Sequence, residues 1–276
     1  MQEFKGIIAL DIDGTITIDK SQIHEKVQDF LNFLIEDGWQ LIFLTGRMFS
    51  FAYPVLSKLK GEYYLAVQNG AALYKMPLIQ LVKKHYLPIH LLTKLPRNIV
   101  IESGKENDDL CYYCPMDFRR EELELIHSRI SFFPEKWVVV HGFENLDITD
   151  FAVGKYFGDK RKVNVFIKKM NQFTELRTQL IRDPFKLDQY IIFLNHIQAS
   201  KGNILAAFQQ FYPSNLPVIS AGNDLNDLDM LQRSTFKIVM PDAPEELKNL
   251  AHLIAPPVEN FGIIDAIKEI IDRNFF

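Results

Sequence analysis

Two hydrophobic patterns alternate along the N-terminal part of the chain. The apolar runs GIIAL (6–10) and WQLIFLTGR (39–47) predict buried strands, whereas the spacing of apolar residues in SQIHEKVQDFLNFLIEDG (21–38) predicts an amphipathic helix. Ser21 is suited to cap this helix and Gly38 to end it. A strand, a helix and a second strand in this order predict a βαβ unit, which belongs to a parallel sheet.

The following segment predicts a short helix and a β-hairpin. SFAYPVLSKLK (50–60) has helical spacing but contains Pro54, where we expect the helix to be interrupted. YYLAVQNGAALY (63–74) consists of two apolar stretches around Asn69-Gly70. Because Asn-Gly is the strongest short hairpin signal, we expect a strand that turns at this dipeptide.

From about Leu87 the predicted elements come in a different order. Strands are predicted at NIVIES (98–103), WVVVHGF (137–143), VNVFIKK (163–169) and YIIFLNHI (190–197), and helices at DFRREELELIHSRI (117–130) and FTELRTQLIRD (173–183). Two successive strand–helix–strand blocks indicate a mixed α+β domain with a sheet of about four strands.

The alternation of helix and strand then resumes with KGNILAAFQQFY (201–212), LPVISAG (216–222) and FKIVM (236–240). The whole pattern predicts an α/β fold with a Rossmann-like parallel-sheet core and an inserted α+β domain. We expect the core to comprise residues 1–84 and 198–276, and the insertion to comprise residues 85–197.

Composition narrows the class of protein. The chain has 276 residues, of which 47% are hydrophobic, and this is enough to bury a sizeable core. A formal net charge of -4 gives no basic surplus for nucleic acid or an anionic membrane, so neither is an expected partner. The sequence also lacks a secretory pattern and an apolar run of about 18 residues, and we therefore expect a cytoplasmic protein.

Both cysteines lie in CYYC, as Cys111 and Cys114. This spacing occurs in redox pairs and in one half of a zinc site, but a second pair that would complete a zinc site is missing from the sequence. We expect two reduced thiols.

Four polar clusters follow predicted strands or open predicted helices. They are Asp11-Ile12-Asp13-Gly14-Thr15, Thr45-Gly46-Arg47, Ser200-Lys201-Gly202 and Gly222-Asn223-Asp224-Leu225-Asn226-Asp227. Each one alone has the composition of an ordinary turn. In an open parallel sheet, however, ligands bind at the carboxyl ends of the strands, so these distant segments are expected to converge there.

The combined clusters have the chemistry of a magnesium and phosphate site. Acidic side chains from two strand ends supply the hard oxygen ligands that Mg²⁺ prefers, together with water and a substrate phosphate. A threonine hydroxyl and Lys201 would face the phosphate oxygens. A divalent cation and Lys201 would also balance Asp11 and Asp13, since two unbalanced neighbouring carboxylates raise the pKa of one of them.

The order of these motifs resembles the haloacid dehalogenase-like (HAD) superfamily. The family's motifs occur in the same order in this chain: DIDGT, TGR, a lysine and GNDLND. The insertion resembles the type IIB cap of Cof-type sugar-phosphate phosphatases. NGA at Asn69 and the late ENFGI are similar to further landmarks of that group. The resemblance spans nearly the whole chain and implies a Mg²⁺-dependent phosphoric monoester hydrolase acting on small phosphorylated metabolites.

The resemblance implies a role for each matching residue. Asp11 would be the nucleophile that forms an aspartyl-phosphate, and Asp13 the general acid and base, with a raised pKa expected for Asp13 and not for Asp11. Thr45 and Gly46 would bind the phosphoryl group, and Lys201 would stabilise charge in the transition state. Further substrate contacts are expected from Arg47, which could instead pair with an acid, and from Asn226.

The fourth motif departs from the family pattern. The family has G-D-x-x-N-D. When the final Asn-Asp of this pattern is aligned with Asn226-Asp227, Asn223 stands where an aspartate that binds metal is usual. The expected metal ligands are therefore Asp11, Asp13, Asn223, Asp224 and Asp227. Asp227 is the safer ligand of the last three, and Asp224 could equally cap the following helix.

Two other functions stay open at the level of sequence. A phosphomutase or phosphotransferase of the same superfamily would use the same aspartyl-phosphate. A phosphometabolite-binding protein with weak catalysis would be consistent with Asn223, although a binding site alone has no need for the pair Asp11 and Asp13.

Overall fold

The structure is a computed structural model that describes residues 4–18, 22–104, 110–130, 136–143, 151–183 and 186–275. In these segments fourteen strands form two sheets. The strands are β1 (Gly6–Leu10), β2 (Trp39–Leu44), β3 (Tyr63–Val67), β4 (Ala72–Met76), β5 (Gln80–Lys84), β6 (Val100–Ser103), β7 (Leu110–Tyr113), β8 (Lys136–Val139), β9 (Phe151–Asp159), β10 (Leu176–Arg182), β11 (Gln189–His196), β12 (Val218–Gly222), β13 (Phe236–Val239) and β14 (Leu253–Ile254). The α-helices are α1 (Glu25–Glu36), α2 (Phe49–Leu56), α3 (Arg120–Ile130), α4 (Lys160–Met170), α5 (Lys201–Gln209), α6 (Leu228–Gln232), α7 (Glu245–Lys248) and α8 (Gly262–Phe275).

The larger sheet has the order β14-β13-β12-β1-β2-β3-β4-β5. Its first six strands are parallel, and β4 and β5 are added antiparallel at one edge. All five residues of β1 are buried, because helices cover both faces of the sheet. Ile8 packs with residues of α1 and α8 on one face, while Ile7 packs with residues of α5 on the other. The predicted α/β class and parallel core sheet are confirmed.

The predicted hairpin at Asn69-Gly70 is present. β3 and β4 pair antiparallel, with Val67 opposite Ala72. Three consecutive turn residues, Gln68, Asn69 and Gly70, have positive φ angles of 51°, 56° and 86°. Two of them are not glycine, and such conformations are held in place only by surrounding contacts.

The smaller sheet comes from the middle of the chain and has the order β10-β11-β9-β6-β7-β8. We call it the cap sheet. Its six strands exceed the predicted four, since β7, β9 and β10 lie outside the segments that predict strands, while one predicted strand is helical. The chain enters this part of the fold just after β5 and leaves it just after β11.

Two element predictions in this region are wrong. VNVFIKK forms most of α4, where Val163, Phe166 and Met170 are buried at helical spacing and Asp159 caps the N-terminus. FTELRTQLIRD contributes β10, because its residues pair along the whole of β11. Short apolar runs do not distinguish helix from strand, and tertiary pairing decided both cases.

Two smaller predictions concern helix termini. α1 begins at Glu25 and is capped by His24, whose Nδ1 accepts the Lys26 N–H, whereas Ser21 lies outside the described residues. Pro54 lies inside α2 and does not interrupt it. In a helix of only eight residues, a proline removes few backbone hydrogen bonds.

Candidate active site

The predicted polar clusters converge at one edge of the larger sheet. The first cluster follows β1, the second follows β2, and the fourth follows β12, and these three strands are neighbours in the sheet. The third cluster opens α5, where the Ser200 hydroxyl accepts the Asn203 N–H and so places Lys201 in the first helical turn.

Lys201 lies between two aspartates at the base of the site. Its Nζ donates to Asp11 Oδ1 and to Asp227 Oδ1, both at 2.5 Å. All three residues are buried, with Lys201 and Asp227 fully inaccessible. One ammonium thus faces two carboxylates, so the cluster carries an excess negative charge that a bound cation could offset.

Burial and the neighbouring charges shift the pKa values of Asp11 and Lys201. Burial raises the pKa of Asp11 to about 7, with Lys201 opposing this effect and Asp227 and Asp13 adding to it. This corrects the expectation that the pKa of Asp11 is not raised. Burial also opposes the charge of Lys201, but the attraction of Asp11 and Asp227 outweighs it and raises the pKa of the ammonium.

Asp13 is held by Arg47. The guanidinium Nε and Nη2 donate to the two carboxylate oxygens of Asp13 at 2.9 and 2.5 Å. The third nitrogen donates to the Phe51 carbonyl at 3.1 Å, and the guanidinium lies 4.2 Å from the centre of the Phe51 ring. Of the two roles considered for Arg47, pairing with an acid is the one present in this structure.

The TGR segment turns tightly after β2. The Thr45 hydroxyl accepts the Arg47 N–H at 3.1 Å, and the Thr45 carbonyl accepts the Asn69 N–H at 2.8 Å. Gly46 lines the cavity above the site, whereas Thr45 lies behind it and is almost fully buried. The segment therefore exposes backbone at Gly46 toward any bound group.

The GNDLND segment is organised around Asp227. Asp227 Oδ2 accepts the N–H groups of Asn223 and Asp224 at 2.9 and 3.0 Å. Asp224 Oδ1 accepts the Leu225 N–H at 2.7 Å, so Asp224 caps the short 3₁₀ turn Leu225–Asp227. Burial raises the pKa of Asp224. The capping role considered for Asp224 is thus present, and Asp224 also lines the cavity.

The first and fourth motifs touch each other through Gly14 and Asn223. Gly14 has a φ of 76°, and a Cβ at this position would lie 2.4 Å from Asn223 Nδ2. A side chain at this position would strain the backbone and would have to displace the Asn223 amide, and glycine avoids both.

The sequence indicates Asn69 as a hairpin turn and as part of the NGA landmark, but it does not predict the contacts that Gln68 and Asn69 make. Asn69 Oδ1 accepts a hydrogen bond from Asn226 Nδ2 at 3.0 Å. Gln68 Nε2 donates to Glu102 Oε2 at 3.2 Å and to the Ser103 carbonyl at 3.0 Å, both on β6 of the cap sheet. Nothing in the sequence around Gln68 predicts its contacts with β6, because they depend on how the two sheets pack together.

A cavity of about 430 Å³ lies between the site and the cap sheet. On the side of the larger sheet, its lining includes Asp11, Asp13, Gly46, Arg47, Asn223, Asp224 and Asn226. The opposite side is formed by residues of the cap sheet. Three predicted site residues lie behind the lining: Lys201, Asp227 and Thr45. Lys201 contacts Asp11, and Thr45 contacts the backbone of Arg47, and both Asp11 and Arg47 are lining residues.

The predicted metal ligands are only partly assembled. Throughout the described segments, no three His, Cys, Asp or Glu side chains are grouped so that they could hold a metal ion. Lys201 separates Asp11 from Asp227, and Arg47 engages Asp13. Four of the five predicted ligands, Asp11, Asp13, Asn223 and Asp224, nevertheless bring carboxylate and amide oxygens to one cavity, and this chemistry fits a hard cation such as Mg²⁺.

None of the helices in the described segments is long and apolar enough to cross a membrane. Both cysteines are free thiols, as expected. Cys111 lies on β7 with its Sγ 3.8 Å from Met48 Sδ, next to the TGR segment.

Comparison with curated proteins finds distant relatives of similar length. "Putative phosphatase YxeH" of Bacillus subtilis (strain 168) is 24% identical over 292 residues, which cover 96% of this chain and 98% of that protein. A "Putative phosphatase" of Buchnera aphidicola subsp. Schizaphis graminum is 21% identical over 294 residues, covering 98% and 95% of the two chains.

Solved structures share the complete fold. A haloacid dehalogenase-like hydrolase from B. subtilis superposes with a TM-score of 0.76 at 20% identity, over 95% of this chain and 99% of the other. The HAD subclass IIB sugar phosphatase BT4131 has a TM-score of 0.71 at 15% identity, over 96% and 98%. These similarities confirm the predicted fold, with its parallel core sheet and second sheet.

The sequence profile of the haloacid dehalogenase-like hydrolases matches residues 8–267. This range includes all four motifs and the middle of the chain that forms the cap sheet. The resemblance inferred from the motifs is therefore confirmed, and the chain belongs to the haloacid dehalogenase-like hydrolase family.

Proposed function

We propose that this protein is a Mg²⁺-dependent phosphatase that hydrolyses monoesters of small metabolites, in particular sugar phosphates, through an aspartyl-phosphate on Asp11. The contact of Asp11 with Lys201 beside the cavity between the two sheets is the observation that carries the proposal. In this proposal residues 1–84 and 198–276 form the catalytic core, and residues 85–197 form the cap.

In the first step an Asp11 carboxylate oxygen attacks phosphorus, and the bond between phosphorus and the ester oxygen breaks. Asp13 protonates the leaving alkoxide. In the second step Asp13 accepts a proton from water, whose oxygen attacks phosphorus, and the bond to Asp11 breaks to release phosphate. Arg47 orients Asp13 for both transfers through its two hydrogen bonds.

The remaining residues would bind the phosphoryl group and the metal. The backbone at Gly46 and the side chain of Asn226 would contact the phosphoryl oxygens, and Thr45 would brace the turn behind them. Lys201 would stabilise the negative charge that develops on these oxygens.

Mg²⁺ would be held by oxygens of Asp11, Asp13, Asn223 and Asp224, which line the cavity. Asp227, which lies behind this lining, would contribute a further negative charge. When bound, the ion would partly neutralise the phosphate and favour the ionised form of Asp11.

The leaving group would occupy the cavity between the two sheets. This enclosure fits a small metabolite and not a protein chain, because lining residues come from both sheets. BT4131, which shares this fold, is a subclass IIB sugar phosphatase, and that similarity supports sugar phosphates as the first substrates to test.

The test is phosphate release from a panel of phosphorylated sugars, with Mg²⁺ or EDTA. Turnover that requires metal and is abolished in Asp11→Asn is expected, whereas Asp272→Asn, an exposed carboxylate on α8, should behave like the wild type. An isomerised phosphate ester without release of phosphate would identify a phosphomutase. Binding of esters without turnover would contradict the catalytic proposal.

A further inference from the structure

Asp229, on α6, contacts the start of the helix that carries Lys201. Its Oδ1 accepts the backbone N–H of Gly202, the residue after Lys201, at 3.1 Å. This N–H lies in the first turn of α5, where backbone donors have no partner within the helix. The helix dipole also favours a carboxylate at this end of a helix. Asp229 therefore fixes the backbone beside Lys201 from outside α5.

The helices α5 and α6 are in close contact at this point. A Cβ at Gly202 would lie 2.5 Å from the Asp229 carbonyl oxygen, so a side chain there would push the two backbones apart. At the end of α6, Arg233 Nη2 donates to Asn203 Oδ1 at 2.9 Å. The position of Lys201 thus depends on the position of α6, which directly follows the GNDLND segment.

The second carboxylate oxygen of Asp229 faces the cap sheet. Asp229 Oδ2 lies 3.0 Å from Nη2 of Arg177, on β10. This oxygen is buried and makes no hydrogen bond among the described residues, so its attraction to Arg177 is that of an ion pair. Because water only partly screens the two groups, the attraction is stronger than in a fully exposed pair. One carboxylate therefore joins a strand of the cap sheet to the helix of Lys201.

β10 is also the cap strand that lies against the fourth motif. It is an edge strand of the cap sheet and packs on the 3₁₀ turn Leu225–Asp227. Arg177, near the start of β10, pairs with Asp229, and Arg182, at its end, lines the cavity. Burial raises the pKa of Asp224, and the charge of Arg182 opposes this shift. Both ends of β10 thus act on carboxylates on either side of the same turn.

We propose that Asp229 is a positioning residue for Lys201, and that Arg177 of the cap sheet holds Asp229 in the conformation that serves this role. The cap sheet then influences the alignment of Lys201 through a single carboxylate that does not line the cavity. This inference rests on the proposed phosphatase function for the role of Lys201, and it adds how the cap sheet acts on that residue.

Substitutions at the two ends of this link test it. Asp229→Ala removes both contacts, and Arg177→Met removes only the contact with the cap sheet. With a sugar phosphate that the wild type hydrolyses, each should lower kcat by about tenfold and change KM by less than about twofold, because Lys201 acts on charge that develops in the transition state. Arg177→Lys keeps the charge, and its kcat should lie within about threefold of the wild-type value.

A double variant distinguishes one link from two independent effects. If Arg177 acts through Asp229, Arg177→Met/Asp229→Ala should be no slower than Asp229→Ala alone. Multiplied effects on kcat would overturn the inference. A purely structural role would lower the thermal midpoint of these variants without changing kcat, and that result would also overturn it. Arg120→Met, which removes the ion pair with Glu124 on α3, is the matched control and should leave kcat unchanged.

Hydrogen exchange at Gly202 gives a readout that needs no activity. NMR of protein labelled at glycine follows this N–H, which should exchange at least about fivefold faster in Arg177→Met than in the wild type, and at a near wild-type rate in Arg177→Lys. Equal exchange in Arg177→Met and the wild type would overturn the inference. If the wild type hydrolyses no phosphate ester, the phosphatase proposal fails, while exchange at Gly202 still decides whether the cap sheet holds Asp229.

Discussion

The side-chain oxygen of Asn69 accepts a hydrogen bond from the amide of Asn226 at 3.0 Å, across 157 positions of sequence. Asn69 is completely buried, and its own backbone N–H is bonded to Thr45. One turn residue therefore connects the TGR segment with the GNDLND segment. The left-handed conformation of Asn69, with a φ of 56°, is what brings its side chain to Asn226.

Asn69→Gly separates this contact from the backbone conformation. Glycine adopts positive φ freely, so we expect the variant to fold, with a thermal midpoint close to that of the wild type. Without its partner, Asn226 loses its fixed position, and kcat/KM for phosphate esters should fall by about tenfold to a hundredfold. Steady-state kinetics alongside thermal melting measure both effects. Unchanged kinetics would show that Asn226 needs no support from Asn69.

Lys201 should matter for stability as well as for catalysis. Lys201→Met leaves Asp11 and Asp227 buried without their cation, and loss of one partner of a buried pair costs about 3–5 kcal/mol. We expect that loss in the free energy of unfolding by urea, measured without metal, together with a fall in kcat of at least about a hundredfold.

The double variant Lys201→Met/Asp227→Asn provides the control for this effect. It removes one of the two buried charges that Lys201 neutralises, so part of the stability should return while the activity stays lost. Equal stability of the single and double variants would argue that Asp227 is already protonated or solvated when Lys201 is absent.

A pair of histidines lies where the chain enters and leaves the cap sheet. The rings of His85 and His196 are nearly parallel, with centroids 5.9 Å apart, and His196 Nδ1 accepts the Gln198 N–H. Burial lowers the pKa of His85, with Lys83 and His196 adding to the effect, and burial lowers the pKa of His196 against the attraction of Glu175.

These shifts predict a loss of stability in mild acid. Because the folded pKa values lie below the unfolded value of about 6.5, the unfolded chain binds more protons as the pH falls through that range. The free energy of unfolding should therefore be smaller at pH 5.5 than at pH 7.5. His85→Gln/His196→Gln should reduce this difference, whereas His141→Gln, at an exposed position, should preserve it. Identical pH profiles for the wild type and the double variant would contradict the prediction.

Sequence alone predicts the core of this fold well, for a physical reason. Parallel strands covered on both faces appear as continuous apolar runs, as β1 does, and polar residues that follow them must meet at one edge of the sheet. This reasoning brings together the residues that follow β1, β2 and β12, and Asp11, Gly46 and Asn223 line one cavity.

The cap sheet was harder to predict because its strands alternate less clearly. VNVFIKK has the residues of a strand, but Asp159 caps it as a helix, and only the packed structure shows this. The sequence left pairing with an acid open as one of two roles for Arg47, but the choice of Asp13 as its partner and the contacts of Gln68 depend on the orientation of side chains between distant segments.

Arg47→Lys offers a test of how Asp13 is used. Lysine keeps the positive charge but cannot hold both oxygens of Asp13 in a planar fork, so Asp13 would be less well positioned to protonate the leaving alkoxide. Protonation matters for an alkyl phosphate, whose alkoxide is a poor leaving group, and much less for p-nitrophenyl phosphate.

We therefore expect kcat to fall by roughly tenfold or more for a sugar phosphate and only slightly for p-nitrophenyl phosphate. Parallel kinetics on the two esters measure the difference, and Phe51→Leu, which removes the ring beneath the guanidinium but keeps the fork, serves as the control. An equal fall for both esters would instead assign Arg47 to phosphate binding, because the phosphoryl group is common to the two substrates while the demand for a proton is not.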